Sequence, residues 1–231
     1  MSHIAENVRL VRERVANAAV RAGRSPDDVE LLAISKTFPE ESIVEAAHAG
    51  QCLFGENRIQ EAEGKIPHLS GIPGLQWHLV GHLQTNKAGR AAELFDVIHS
   101  LDSIKLAVKL NQASVEIGKT LSVLLQVDLA GEATKFGMEP RGIRAIVDAV
   151  RNLPGLRLDG LMTIPPYLDN PDNVRPFFAR LRELGRELES ERPGCLGRKH
   201  LSMGMSHDFE QAIQEGATIV RIGTAIFGSR Q

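Results

Sequence analysis

Short apolar runs alternate with longer helix-like segments along the whole chain, and this alternation restricts the possible folds more than any other feature. A run too short to be a buried helix, and apolar on both faces, reads as a strand of a parallel sheet. Each parallel strand needs a crossover to return the chain, and a helix is the usual crossover. The first run is VELLAIS (29–35). It is followed by CLFGEN (52–57), WHLVG (77–81), FDVIHS (95–100), LSVLLQVDL (121–129), LRLDGLMT (156–163), KHLSMG (199–204) and TIVRIGT (218–224).

Helical patterns lie between them, at 40–49, 103–117, 140–153 and 174–188. In the last, Val174, Phe178, Leu181, Leu184 and Leu188 form one apolar stripe. A further helix opens the chain, with Ile4, Val8, Val11, Val15 and Ala18 on one face and Gly23 as its stop. Eight strand–helix alternations in 231 residues predict an α/β chain forming a single (β/α)8 TIM-type barrel over 1–231, with no second β domain. An open doubly wound sheet would alternate in the same way, but no GxGxxG follows the first strand. The stretch 164–176, rich in Pro, Asp and Asn, reads as a long loop.

The bulk numbers narrow the partners. Basic and acidic residues number 27 and 29 and are mixed along the chain, which offers neither nucleic acid nor an anionic membrane an electrostatic handle. No apolar run approaches the roughly 20 residues that span a bilayer. The two cysteines, Cys52 in an apolar run and Cys195, show no metal-binding spacing, so Cys52 is expected in the core and the chain in a reducing cytoplasm. His78 and His82 lie around a strand end without a third ligand and are expected to be structural, so no metal is expected. A small molecule is the expected ligand.

In such barrels ligands bind where the strands end. The polar and strand-end residues there are Lys36, Glu56, Asn57, His82, Ser100, Asp128, Met162, the segment 202–206, Arg221, Gly223 and Thr224. Lys36 directly follows an apolar strand. Partial burial there favours a neutral amine able to attack an aldehyde, although position alone suits a solvated strand-end charge equally well. Ser202, Gly204 and Ser206 precede a helix starting near Asp208, while Gly223 and Thr224 close the eighth strand. Each fragment alone reads as an ordinary turn, but glycines and hydroxyls after strands seven and eight together suit a phosphate. Arg221, two residues before Gly223, points with it into the barrel and needs an acceptor.

The segments LLAISK, FGENRIQE, WHLVGHLQTNK, GLMTI, HLSMGMSHDFEQAI and RIGTAIFG resemble the motif set of the pyridoxal phosphate homeostasis protein family. That family is similar to the barrel of alanine racemase, a fold-type III pyridoxal phosphate (PLP) barrel. The resemblance implies that Lys36 carries PLP as a Schiff base, and that Ser202, Gly204, Ser206, Gly223 and Thr224 surround its phosphate. It also implies that Arg221 faces the pyridine nitrogen and Asn57 lines the site. It gives no role to Glu56, Arg58, Asn86 or Lys87.

An arginine at the pyridine nitrogen weakens the ring as an electron sink. The only tyrosine, Tyr167, sits in a loop and is expected at the surface. The expected function, as the resemblance implies, is reversible PLP holding, buffering and delivery by a monomer, with PLP-dependent apo-enzymes as recipients and no catalytic residues assigned. The alternatives are a racemase-like enzyme using Lys36 as base, and an aldolase using Lys36 without a cofactor.

Overall fold

A computed structural model describes residues 3–131 and 136–229. Its strands are β1 (Glu30–Ile34), β2 (Leu53–Glu56), β3 (Gln76–Leu79), β4 (Val97–Leu101), β5 (Leu121–Gln126), β6 (Leu156–Met162), β7 (His200–Ser202) and β8 (Ile219–Ile222). Each pairs in parallel with the next, and β8 closes on β1 with Arg221 opposite Leu32 and Ile222 opposite Ala33. The barrel expected from the alternation is thus present, with every predicted run contributing a strand.

The helices are α1 (His3–Arg21), α2 (Glu40–His48), α3 (Ile59–Lys65), α4 (Ala88–Leu94), α5 (Ile104–Glu116), α6 (Ile143–Val150), α7 (Arg175–Glu191), α8 (Phe209–Gln214) and α9 (Thr224–Phe227). Helix α1 turns Val8, Val11, Val15 and Ala18 inward and packs on α2, α8 and α9. Gly23, at a φ of +68°, ends it by adopting a conformation that a side chain disfavours. Ser103 caps α5 by accepting the Leu106 N–H.

Strand alternation divides the apolar residues into two layers. Leu31, Ala33, Phe54, Leu79 and Ile98 face the helices, while Leu32, Ile34, Leu124, Met162 and Ile219 fill the barrel interior. Truncating a fully buried residue such as Leu32 to alanine would cost roughly 2–5 kcal/mol. The interior is therefore a solid floor beneath the strand ends.

Three local expectations need correction. Only His200–Ser202 of KHLSMG is extended, because Lys199 and Gly204 hold φ at +56° and +91° on either side. The stretch 164–176 is not all loop: Asn170 accepts the Asp172 N–H and starts a 3-10 turn at Pro171–Val174, which runs into α7. Cys52 is exposed rather than in the core, because β2 begins one residue after it. Cys195 is buried, and its burial raises the thiol pKa to about 11.

Candidate functional site at the barrel mouth

A polar chain crosses the otherwise apolar interior. Arg221 Nη1 donates to Ser202 Oγ at 2.7 Å and Nη2 donates to the Thr163 carbonyl at 2.9 Å. Ser202 Oγ lies 3.0 Å from His99 Nδ1, and His99 Nε2 lies 2.9 Å from His78 Nδ1. Burial holds His99 well below its ordinary pKa and pushes His78 down to about 3. Two neutral imidazoles suit the chain, because each contact then has one donor and one acceptor.

Arg221 itself makes no ion pair among the described residues. Burial pushes its guanidinium down to about 10, opposed by the charge of Asp208. Ser202 and Thr163 accept from it, which leaves N–H groups of its five without a partner among the described residues. Ser202 was expected beside a phosphate. Its hydroxyl is fully buried and engaged by Arg221 and His99 in the barrel interior.

The loops after β7 and β8 meet at the mouth. Ser206 Oγ accepts the Ala225 N–H at 3.4 Å, joining the 204–206 turn to the segment that follows Gly223. Gly204 must be glycine: its φ is +91°, and a Cβ there would stand 2.5 Å from Ala212 Cβ. Asp208 Oδ1 accepts the Met205 N–H at 2.6 Å and fixes the same turn. Gly223 and the exposed Thr224 start α9.

Closure of the barrel places Lys36 beside these loops. A Cβ on Gly223 would lie 3.3 Å from the carbonyl oxygen of Ile34, the last residue of β1, and the half-buried Lys36 follows two residues later. Asn57, just after β2, is held closely by its neighbour: a Cβ on Gly81 would lie 2.1 Å from the Asn57 carbonyl oxygen. Asn57 also lines a cavity of about 740 Å³ that Arg58, His82, Lys87 and Phe136 help to form. These residues fit an anionic, ring-bearing ligand held by an amine. The mouth offers a lysine, a cluster of glycine and hydroxyl groups, and a buried cation with donors to spare.

Other strand-end residues are placed differently. Glu56 points away from the mouth into the layer under α3, and Ser100 is also fully buried, with its hydroxyl lacking a partner among the described residues. Asp128 accepts the Ala130 and Gly131 N–H groups, and Met162 fills the interior. His82 stacks on Phe136 and lies 3.3 Å from Asp102. No group of metal-ligating side chains occurs among the described residues. His99, Thr163 and Asp208 were not singled out from the sequence. The signal for His99 was a histidine inside an apolar strand.

The whole chain, residues 1–231, matches the family described as alanine racemase, N-terminal domain. It is 46% identical to the pyridoxal phosphate homeostasis protein of Aquifex aeolicus, over 98% of each chain. It is 48% identical to that of Pseudomonas aeruginosa, over 100% of this chain and 97% of the relative. The chain belongs to the pyridoxal phosphate homeostasis protein family. Among solved structures, PipY of Synechococcus elongatus with PLP bound matches at a TM-score of 0.83 and 42% identity, over 94% of this chain and 100% of PipY. Alanine racemase from Clostridium difficile, at 17% identity and a TM-score of 0.70, shares the fold, with this chain covering 57% of it. This member of the homeostasis family thus keeps the barrel of the racemase.

Proposed function

We propose that this chain binds pyridoxal 5'-phosphate at the barrel mouth and holds it reversibly through Lys36 Nζ, buffering the cofactor and delivering it to PLP-dependent apo-enzymes. One observation carries the reading: closure of β8 on β1 sets Gly223 against Ile34, so the lysine and the glycine–hydroxyl loops share one mouth above Arg221. When bound, PLP supplies an aldehyde that condenses with an amine and releases one water. Ser202, Gly204, Ser206, Gly223 and Thr224 would surround the phosphate, Arg221 would face the pyridine nitrogen, and Asn57 would line the site. Ser202 holds Arg221 in place. The relatives named for PLP homeostasis and the PLP-bound PipY structure support this reading.

A free aldehyde reacts with amines indiscriminately, which gives a reversible holder its chemical purpose. The cavity beside Asn57 lies at the β2 and β3 ends of the barrel, lined also by Arg58, His82 and Lys87. The chain acts as a monomer and needs no catalytic residue for this role. Racemase-like turnover is the second reading, favoured by the match to the alanine racemase barrel. It needs a second proton carrier opposite Lys36, and Tyr167 is 71% exposed and packed on His207.

The deciding experiment is the visible spectrum of the purified protein with PLP, before and after borohydride, followed by peptide mass mapping. A band removed by reduction, with the added mass on Lys36, is the expected result. The absence of any adduct would overturn the reading, and turnover of an amino-acid panel would favour the racemase-like one.

A further inference from the structure

The backbone on both sides of Lys36 is tied to charged side chains that the sequence left without a role. Ser35 Oγ donates to Glu56 Oε1 at 2.7 Å. Lys65 Nζ, from the end of α3, donates to the same oxygen and to the Ser35 carbonyl, each at 3.0 Å. On the other side of Lys36, the Thr37 N–H donates to Glu61 Oε1 at 2.7 Å. Glu61 Oε1 stands 4.0 Å from Lys65 Nζ, one helical turn away. A single ammonium therefore bridges two carboxylates that grip residues 35 and 37.

This arrangement is expensive for the fold. Glu56 is fully buried, its Oε2 has no partner among the described residues, and the buried Lys65–Glu56 pair gives up hydration on both sides. Thr37, a β-branched residue, holds φ at +68°, a strained left-handed conformation. These unfavourable features converge on the 35–37 turn that carries Lys36, and packing alone gives no reason for that.

We infer that Glu56, Glu61 and Lys65 are positioning residues that brace the 35–37 turn and thereby aim Lys36 into the mouth. The inference rests on the reading of Lys36 as the PLP-bearing lysine. It explains why the FGENRIQE segment and Lys65 lie where they do: Glu56 reaches the turn from the end of β2, and Glu61 and Lys65 reach it from α3. Once the brace is cut, Thr37 relaxes toward an ordinary backbone conformation and Lys36 swings toward solvent.

The test is trace acylation of the ligand-free protein, with the rate at Lys36 read by peptide mass against exposed Lys105. In Glu61→Ala, Lys36 should acylate about fivefold faster, the equivalent of losing one hydrogen bond of about 1 kcal/mol, while PLP uptake slows by a similar factor. Lys65→Met should give a larger change in the same directions. Should Lys65→Met fail to fold, Glu61→Ala decides, because Glu61 is partly exposed and contributes a single hydrogen bond to the turn. A Lys36 acylation rate in folded Glu61→Ala equal to wild type would overturn the brace. Failure of wild type to take up PLP would instead overturn the reading of the site, while the acylation rates would still decide the brace.

Discussion

Arg221 and Ser202 are joined by a 2.7 Å hydrogen bond in the barrel interior, and Ser202 in turn touches His99. One hydroxyl thus mediates between a buried cation and a buried neutral ring. Ser202→Ala would leave a donor of Arg221 and Nδ1 of His99 without a partner, so we predict a loss of about 1–3 kcal/mol. Urea unfolding at neutral pH measures it, and a change below about 0.5 kcal/mol would show that the bond contributes little.

Arg221→Met should behave differently. It removes a charge that is desolvated and has no ion-pair partner among the described residues, so stability should stay within about 1 kcal/mol of wild type. The absorption maximum of bound PLP should move, and affinity should fall at least about tenfold, the equivalent of a charge-assisted hydrogen bond. A variant with the wild-type spectrum and affinity would place the pyridine nitrogen elsewhere.

Lys36→Ala should bind PLP only weakly, through the loops after β7 and β8, and should yield no borohydride-fixed adduct. A reducible chromophore of wild-type intensity would move the covalent site to another lysine.

Acid should weaken the fold through the histidine pair. His78 titrates near 3 in the folded chain against an ordinary 6.5, so the unfolded chain binds more protons between those values. This contribution to stability is complete above about pH 6.5 and declines as the pH falls toward the folded value, with roughly 3 kcal/mol lost by pH 4 from His78 alone. Denaturation curves at pH 7 and 4 for wild type and His78→Leu provide the check. The variant should lose less on acidification, and parallel losses would mean that His78 does not contribute.

Gly204→Ala should harm both fold and binding. The positive φ costs about 1–2 kcal/mol, and the new methyl meets Ala212 Cβ at 2.5 Å, so the 204–206 turn must shift. Thermal unfolding and PLP titration should both register it. Wild-type affinity in this variant would exclude the turn from phosphate binding.

The barrel was legible because apolar periodicity survives in a single sequence, and the strand ends then offered Lys36, Asn57, Gly204 and Arg221 as candidate site residues. What stayed hidden depends on one-residue parity and on partners far along the chain. Glu56 reads as a mouth residue, yet the strand turns it outward to Lys65. Ser202 reads as a phosphate ligand, but nothing in its neighbourhood of the sequence signals that His99, 103 positions earlier, touches its hydroxyl. The carbonyl of Thr163 has no side-chain signature at all. Cys52 was misplaced by a single position at the start of β2.

Ring closure has a consequence for the proposed role of a holder that gives up its cargo. With each strand bonded to its neighbour and β8 bonded back to β1, the barrel presents no unpaired sheet edge among the described residues. The floor of the cup is built from side chains of the protein itself, so it would stay filled were a bound cofactor to depart. Unloading would therefore disturb the rim and leave the wall intact.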